Sequence, residues 1–301
     1  MKLNRRQFIA GGTALTATAL AAPLQLSAGQ VLPRRAIPGT DESLAIVGYG
    51  NSQAFRDSDL ETSRRLIDIL LEFGGSYIDA GIPPSREVVG GIMRQGRHHQ
   101  DLFLGSYANG LDEQALREEI SRNQEIDGDD GPMDLMLSAR LEEYGANADA
   151  FRRIKDEGLT RFVGVARHRV EYHEEMMRLM QAGAVDFVQV NYSILEPEAE
   201  QRLLPMAQDL GIAILVNRPF VNGQYFPMVK GHELPAWAAE IDCNSWAQFS
   251  LKFILSHPAV TCVLTETAKE KHARDNLGGG LGRLPDAAMR EKMRQTILDM
   301  A

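Results

Sequence analysis

From Ser43 onward, short apolar runs alternate with stretches in which apolar residues recur every three to four positions. The runs predict eight strands, at Leu44–Val47, Ser76–Ile78, Leu102–Ser106, Met133–Ser138, Phe162–Val165, Phe187–Val190, Ala213–Val216 and Thr261–Leu264. The periodic stretches predict helices at Leu60–Phe73, Ser85–Arg94, Glu113–Asn123, Ala146–Glu157, Val170–Ala182, Glu198–Leu210 and Asn244–Ser256. Glycine stands where helices should stop, at Gly74, Gly158, Gly183 and Gly211. Strands alternating with helices at this spacing imply a parallel sheet. Eight such units imply closure into a single α/β barrel of the (β/α)8 TIM type rather than an open sheet. Chemistry in such barrels sits at the C-terminal ends of the strands. The stretch Ser76–Ser85, SYIDAGIPPS, delivers a carboxylate, Asp79, to that face at the start of a Gly/Pro-rich turn.

The first 42 residues lack this alternation. Met1 to Ala22 reads as a basic start, an apolar run and a small-residue end, too short to span a bilayer. Asn4-Arg5-Arg6-Gln7-Phe8-Ile9 is similar to the twin-arginine export motif. Cleavage sites fit after Ala21 or Ala28, and an uncleaved amphipathic anchor helix is the other reading. The expected division is therefore a signal peptide over residues 1–28, a linker rich in Pro, Gly, Ala and Gln over 29–42, and the barrel over 43–301. The expected partner of the first segment is the twin-arginine export machinery, and the expected location is periplasmic. No later segment is long and apolar enough for a membrane helix.

Composition narrows the classes. The 301 residues are 44% hydrophobic and 24% charged, enough apolar material for a large core, and the net charge is −9. An acidic balance argues against general nucleic-acid or anionic-membrane binding. Two cysteines, Cys243 and Cys262, set no disulfide framework; they read as small buried residues, with a bridge as the alternative. No Cys-His cluster has metal-site spacing. No G-x-G-x-x-G follows the first strand, and Gly278-Gly279-Gly280 lacks the residues of a phosphate-binding loop.

Several stretches together resemble the aldo/keto reductase family, in particular its twin-arginine-exported bacterial branch. They are Ser76–Ala80, the run Lys155–Val165 (KDEGLTRFVGV), Asp186–Tyr192 (DFVQVNY), Ile214–Phe220 (ILVNRPF), Phe253–Thr261 (FILSHPAVT) and Asp275-Asn276-Leu277-Gly278. The resemblance covers about residues 43 to 290. It implies an NADPH- or NADH-dependent oxidoreductase acting on a small carbonyl compound, with the cofactor extended across the strand C-termini. Family chemistry uses a tyrosine as proton donor, a lysine and an aspartate that tune it, and a histidine that orients the carbonyl. Asp79 corresponds to the aspartate. The loop that should carry the tyrosine reads Gly81-Ile82-Pro83-Pro84, the lysine position leads through Ser106 into Tyr107, and the histidine position leads through Ser138 into Ala139. Three of four catalytic positions depart. Among cofactor positions, Gln189 matches the amide-binding residue of the sixth strand, Asn217 replaces a stacking aromatic, and Arg218 follows it. Ala166-Arg167 replaces a Ser/Asn-type pair. Thr265-Glu266-Thr267-Ala268 occupies the phosphate-holding stretch, with Thr267 assigned to the cofactor and Glu266 repelling a phosphate unless paired. Asp275 and Asn276 match the pair that contacts adenine.

The candidate catalytic residues are therefore Asp79, Tyr107 and His168. Asp79 is either catalytic or a leftover acid bonded to a neighbouring strand. Tyr107 is either a relocated donor or a pocket-lining aromatic. His168 is either an acid/base group near neutral pH or a solvated loop histidine. His98 and His99 precede the third strand and belong to the opposite face. Arg140, Arg167 and Arg218 form either a positive mouth for an anionic ligand or three solvated cations with local acids. Tyr225, Phe226 and Trp237 are placed to cover the pocket. Two functions follow: an exported reductase with altered or weakened catalysis, or a catalytically silent barrel that binds a small ligand, an anion being one candidate, or a partner protein, with no cofactor.

Overall fold

The computed structural model describes residues 31–50, 54–57, 59–81, 83–96 and 101–300. Residues 1–30, where the signal peptide is expected, and His98 and His99 lie outside the described residues.

Ten strands are present among the described residues. β1 (Arg34–Ala36) and β2 (Ser43–Ala45) form an antiparallel hairpin. β3 (Val47–Tyr49), β4 (Tyr77–Asp79), β5 (Phe103–Tyr107), β6 (Met133–Ser138), β7 (Thr160–Ala166), β8 (Phe187–Asn191), β9 (Ala213–Asn217) and β10 (Val260–Thr265) are parallel. They close into a barrel in chain order, with β10 pairing β3. The expected (β/α)8 barrel is thus the observed fold. Gly74, Gly158, Gly183 and Gly211 each adopt a positive φ at a helix end, where an L side chain would be strained.

The barrel interior is filled by layers from alternate strands. Tyr77, Leu135, Phe187 and Cys262 come from β4, β6, β8 and β10, and all are buried. Glycine on the intervening β5 makes room for the largest of these: a Cβ on Gly105 would lie 2.2 Å from the Tyr77 hydroxyl. Two residues further along the same four strands come Asp79, Leu137, Gln189 and Leu264. The interior therefore turns from apolar to polar at the strand C-termini. Both cysteines are free and buried.

Residues 31–42, expected as linker, do more than connect. Ile37 and Leu44 join the inner apolar cluster with Phe103, Phe162 and Phe187, so the hairpin floors the barrel at the strand N-termini. Arg35 donates to the backbone carbonyls of Leu255, His257 and Val260, where the helix Trp246–Leu255 ends and β10 begins. Arg161 links Glu42 of the hairpin to Asp134 of β6. The apolar run expected as one strand, Leu44–Val47, is divided at Ile46. Its first part pairs with β1 and its second with β4 and β10.

Candidate active site

A cleft of about 410 Å³ opens at the C-terminal end of the barrel, lined by Gly50, Asp79, Tyr107, Ala139, Ala166, Arg167, His168, Gln189, Asn217, Arg218, Asn222, Leu264 and Glu266. β4, β5, β7, β8, β9 and β10 contribute strand residues, and β3 and β6 contribute Gly50 and Ala139, each one residue beyond the strand's end.

Three polar side chains meet at the floor. Asp79 pairs with Gly105 across the β4–β5 ladder, so Tyr107 stands two residues beyond it on the neighbouring strand. Gln189 reaches them from β8, on the far side of the barrel. Its Nε2 donates to Asp79 Oδ2 at 3.1 Å and to Tyr107 Oη at 3.2 Å. The Tyr107 hydroxyl donates to Asp79 Oδ2 at 3.4 Å, and the Gly81 N–H donates to Oδ1 at 3.3 Å. The Tyr107 ring lies flat against the backbone at Gly81, where a Cβ would sit 1.8 Å from Cδ2; glycine is needed for this approach.

Electrostatics follow from burial. Asp79 is 1% exposed, and desolvation pushes its carboxyl up from 3.8 to about 6, against the lowering effect of its three hydrogen bonds. Burial and the neighbouring Asp79 charge hold the Tyr107 phenol well above its usual range. Among the described residues no lysine lines the cleft beside them. Arg86, on the outer face of β5, donates to Ser106 Oγ at 2.7 Å and is ion-paired with buried Asp127. Glu266 is exposed at the rim, yet its carboxyl would lie 3.1 Å from a Cβ on Gly50; desolvation there and the Asp79 charge push its pKa up.

His168 lines the cleft, but its ring is not hydrogen-bonded to Asp79 or Tyr107. Partial burial and the arginines 218, 169 and 167 hold its pKa below the usual value. Arg218 donates to the His168 carbonyl at 2.8 Å and lies 3.5 Å from Glu196. Arg140 lies outside the cleft lining, paired with Glu143 and the Asn109 carbonyl. Only two of the three arginines expected at the mouth line the cleft, because Arg140 begins the next helix and turns back onto it.

A second cleft of about 330 Å³ is lined by Phe220, Phe226, Ser245, Trp246, Ala247, Glu266, Thr267, His272, Asp275 and Asn276. Glu266 borders both. Asp275 Oδ1 accepts from Gln248 Nε2 at 2.9 Å, and Asn276 is buried. Asp79, Tyr107, His168, Gln189, Asn217 and Arg218 thus share one cleft, while Thr267, Asp275 and Asn276 share the other. Phe226 lines the second cleft. Trp237 lines neither, packing on Phe249 with the Lys292 ammonium over its ring. Sequence reasoning passed over Asn222 and Glu196. Asn222 follows Val221 in a segment where Arg218, Val221 and Asn222 all have φ near +50°, which no residue pattern announced.

The fit to a nicotinamide can be tested on orphaned atoms. Gln189 Oε1 and Asn217 Oδ1 are buried without hydrogen-bond partners, and both belong to cleft-lining side chains. Two unsatisfied acceptors suit a ligand that carries a primary amide. Among the described residues no group of His, Cys, Asp and Glu could hold a metal ion. No helix among them is long and apolar enough to cross a membrane.

Comparison with known proteins agrees with this geometry. The sequence pattern of the aldo/keto reductase family matches residues 47–292. An NADH-specific methylglyoxal reductase of Escherichia coli is 36% identical over 70 residues, a match that spans 23% of this chain and 21% of that protein. The holo form of an aldo-keto reductase from Bacillus halodurans superposes with a TM-score of 0.71 at 19% identity, covering 90% of this chain and 96% of that one. An aldo-keto reductase from Klebsiella pneumoniae in complex with NADPH gives 0.68 at 19% identity, covering 89% and 96%.

Proposed function

The chain belongs to the aldo/keto reductase family, and on that basis we propose that it is an exported NAD(P)H-dependent oxidoreductase that reduces a small carbonyl compound with a rebuilt proton donor. The observation that carries this reading is the hydrogen-bonded set Tyr107, Asp79 and Gln189 at the cleft floor. Gln189 and Asn217 would hold the nicotinamide amide, with Arg218, Thr267, Asp275 and Asn276 serving the rest of the dinucleotide along the two clefts. That cofactor, when bound, supplies hydride to the carbonyl carbon.

The chain's own part is to place and move one proton. Tyr107 Oη gives its proton to the carbonyl oxygen. Asp79 Oδ2, within reach of the same hydroxyl, returns a proton to the phenol oxygen and is left as carboxylate, to be reprotonated from solvent. Gln189 Nε2 donates to both oxygens and keeps them in register. The supply depends on a protonated Asp79, so turnover should fall as pH rises past about 6. Among the described residues no cation eases loss of the phenol proton, which makes this a weaker donor than a tyrosine paired with lysine. Reduction of simple aldehydes is therefore expected to be slow.

A second reading rests on Glu266. Its carboxylate at the border of the two clefts opposes any diphosphate laid across them, which favours a silent barrel that binds a small ligand without a dinucleotide. One titration separates the readings: purified mature protein against NADPH and NADH, followed by nicotinamide fluorescence. Binding, together with turnover of methylglyoxal that is lost in Tyr107→Phe, supports the oxidoreductase. No binding by either nucleotide removes it. Export is tested by fractionating cells that carry Arg5→Lys with Arg6→Lys; retention of the double variant in the cytoplasm is the expected result.

A further inference from the structure

Three arginines surround His168, and two of them have carboxylate partners. Arg169 pairs with Glu171, and Arg218 with Glu196. Arg167 pairs with none among the described residues, in a protein with 41 acids. Its guanidinium lies 4.4 Å above the Tyr172 ring, a contact that uses its face and leaves the edge donors free. Its Nε is buried and without a partner.

The position of Arg167 is also fixed in advance. Its N–H donates to the Gln189 carbonyl at 2.9 Å, and its own carbonyl accepts from Asn217 Nδ2 at 3.0 Å. The backbone is thereby pinned to β8 on one side and to the end of β9 on the other. The nearby segment with positive φ at Arg218, Val221 and Asn222 brings Arg218 and Asn222 to the same wall. For valine this conformation is costly, on the order of 1–3 kcal/mol, and such strain persists where the surroundings enforce it. A cation held without a counter-ion, in a cleft, on a pinned backbone, is prepared for an anion supplied from outside.

We propose that Arg167 forms a carboxylate-binding subsite, and that the ligand reduced in this cleft is a short oxo-acid. Its carboxylate would dock on the Arg167 edge and its carbonyl oxygen would face Tyr107. This deepens the oxidoreductase reading and rests on it for the reaction, although the binding itself does not require a dinucleotide. The same cation would suit one other source of oxyanion, the diphosphate of a dinucleotide.

Calorimetry decides between them. The probes are pyruvate and its neutral amide, pyruvamide, titrated into the mature protein with and without saturating NADH. Pyruvate should bind more tightly than pyruvamide in both conditions. In Arg167→Gln the pyruvate affinity should drop about 10- to 100-fold while that for pyruvamide stays the same. Arg167→Lys should recover part of the loss, and unchanged melting of all variants shows that the fold is kept. Equal affinity for the two probes, or no effect of Arg167→Gln, overturns the subsite. Displacement of pyruvate by NADH assigns Arg167 to the diphosphate and overturns the oxo-acid. Should NADH fail to bind at all, the reductase reading fails, while the pyruvate titration still decides the subsite.

Discussion

Replacing Asp79 by asparagine should stabilise the protein at neutral pH and remove that advantage in acid. Asp79 is an acid whose carboxyl is raised in the folded chain, from 3.8 to about 6. The sign follows from proton counting. Between those two values the folded state holds a proton that the unfolded state has lost, so folding stability falls as pH rises through this window. Above it the full penalty applies. A rise of that size corresponds to ~3 kcal/mol of native-state cost for the ionised carboxyl at pH 7. Asparagine carries no charge, and its oxygen can still accept from Gln189 Nε2. Its amide nitrogen then takes the Oδ1 place and faces the Gly81 N–H, donor against donor, so part of the gain is offset, and about 1–3 kcal/mol should remain. Urea unfolding of the parent and of Asp79→Asn between pH 4 and pH 8 measures the effect. The difference between them should grow across pH 4 to 6 and level off above. Acids elsewhere titrate alike in both proteins and cancel. A difference independent of pH, or a parent more stable than the variant at pH 8, would refute the assignment of a raised carboxyl to this site.

Other outcomes follow from the same geometry. Tyr107→Phe should lower carbonyl turnover by about 10²- to 10⁴-fold while nucleotide titrations remain unchanged; equal turnover would show that the phenol is not the donor. Gly81→Ala drives a methyl to within 1.8 Å of the Tyr107 ring, so melting should show a loss of about 1–3 kcal/mol, accompanied by lost turnover as the ring moves. Arg35→Ala leaves three backbone carbonyls at the barrel floor without their charged donor, and urea unfolding should report a loss of ~3 kcal/mol.

Much of the architecture was legible because each barrel strand is announced by an apolar run and several helices by a terminal glycine. The exception is instructive. Leu44 to Val47 is uniformly apolar, and both halves are buried, one in the floor and one in the barrel wall. A run with no alternation carries no mark of where a chain leaves one sheet for another. Residues 31–42 were misleading for a related reason: a three-residue edge strand such as Arg34–Ala36 is too short for periodicity, and its main anchor is a single arginine. At the site, Asp79 and Gln189 could be placed at strand ends from sequence. Their contact could not, because it is made across the barrel and depends on closure. Tyr107 becomes Asp79's partner through a ladder register that the sequence leaves open. The separation of Thr267, Asp275 and Asn276 into a second cleft depends on Phe220, Phe226 and Trp246, which come from the irregular segment after β9 and the helix that follows it.

The floor has a consequence for when the molecule can be finished. Arg35 grips carbonyls 220 to 225 positions further along the chain, and β3 has no partner on one side until β10 arrives. A ribosome making this protein must therefore release nearly all of it before Arg35 and β3 can complete their contacts. Until then Ile37 and Leu44 can meet Phe103, Phe162 and Phe187 but not Cys262 of the closing strand. The three Arg35 contacts therefore form only once the closing strand is made, and their presence reports that the barrel has closed.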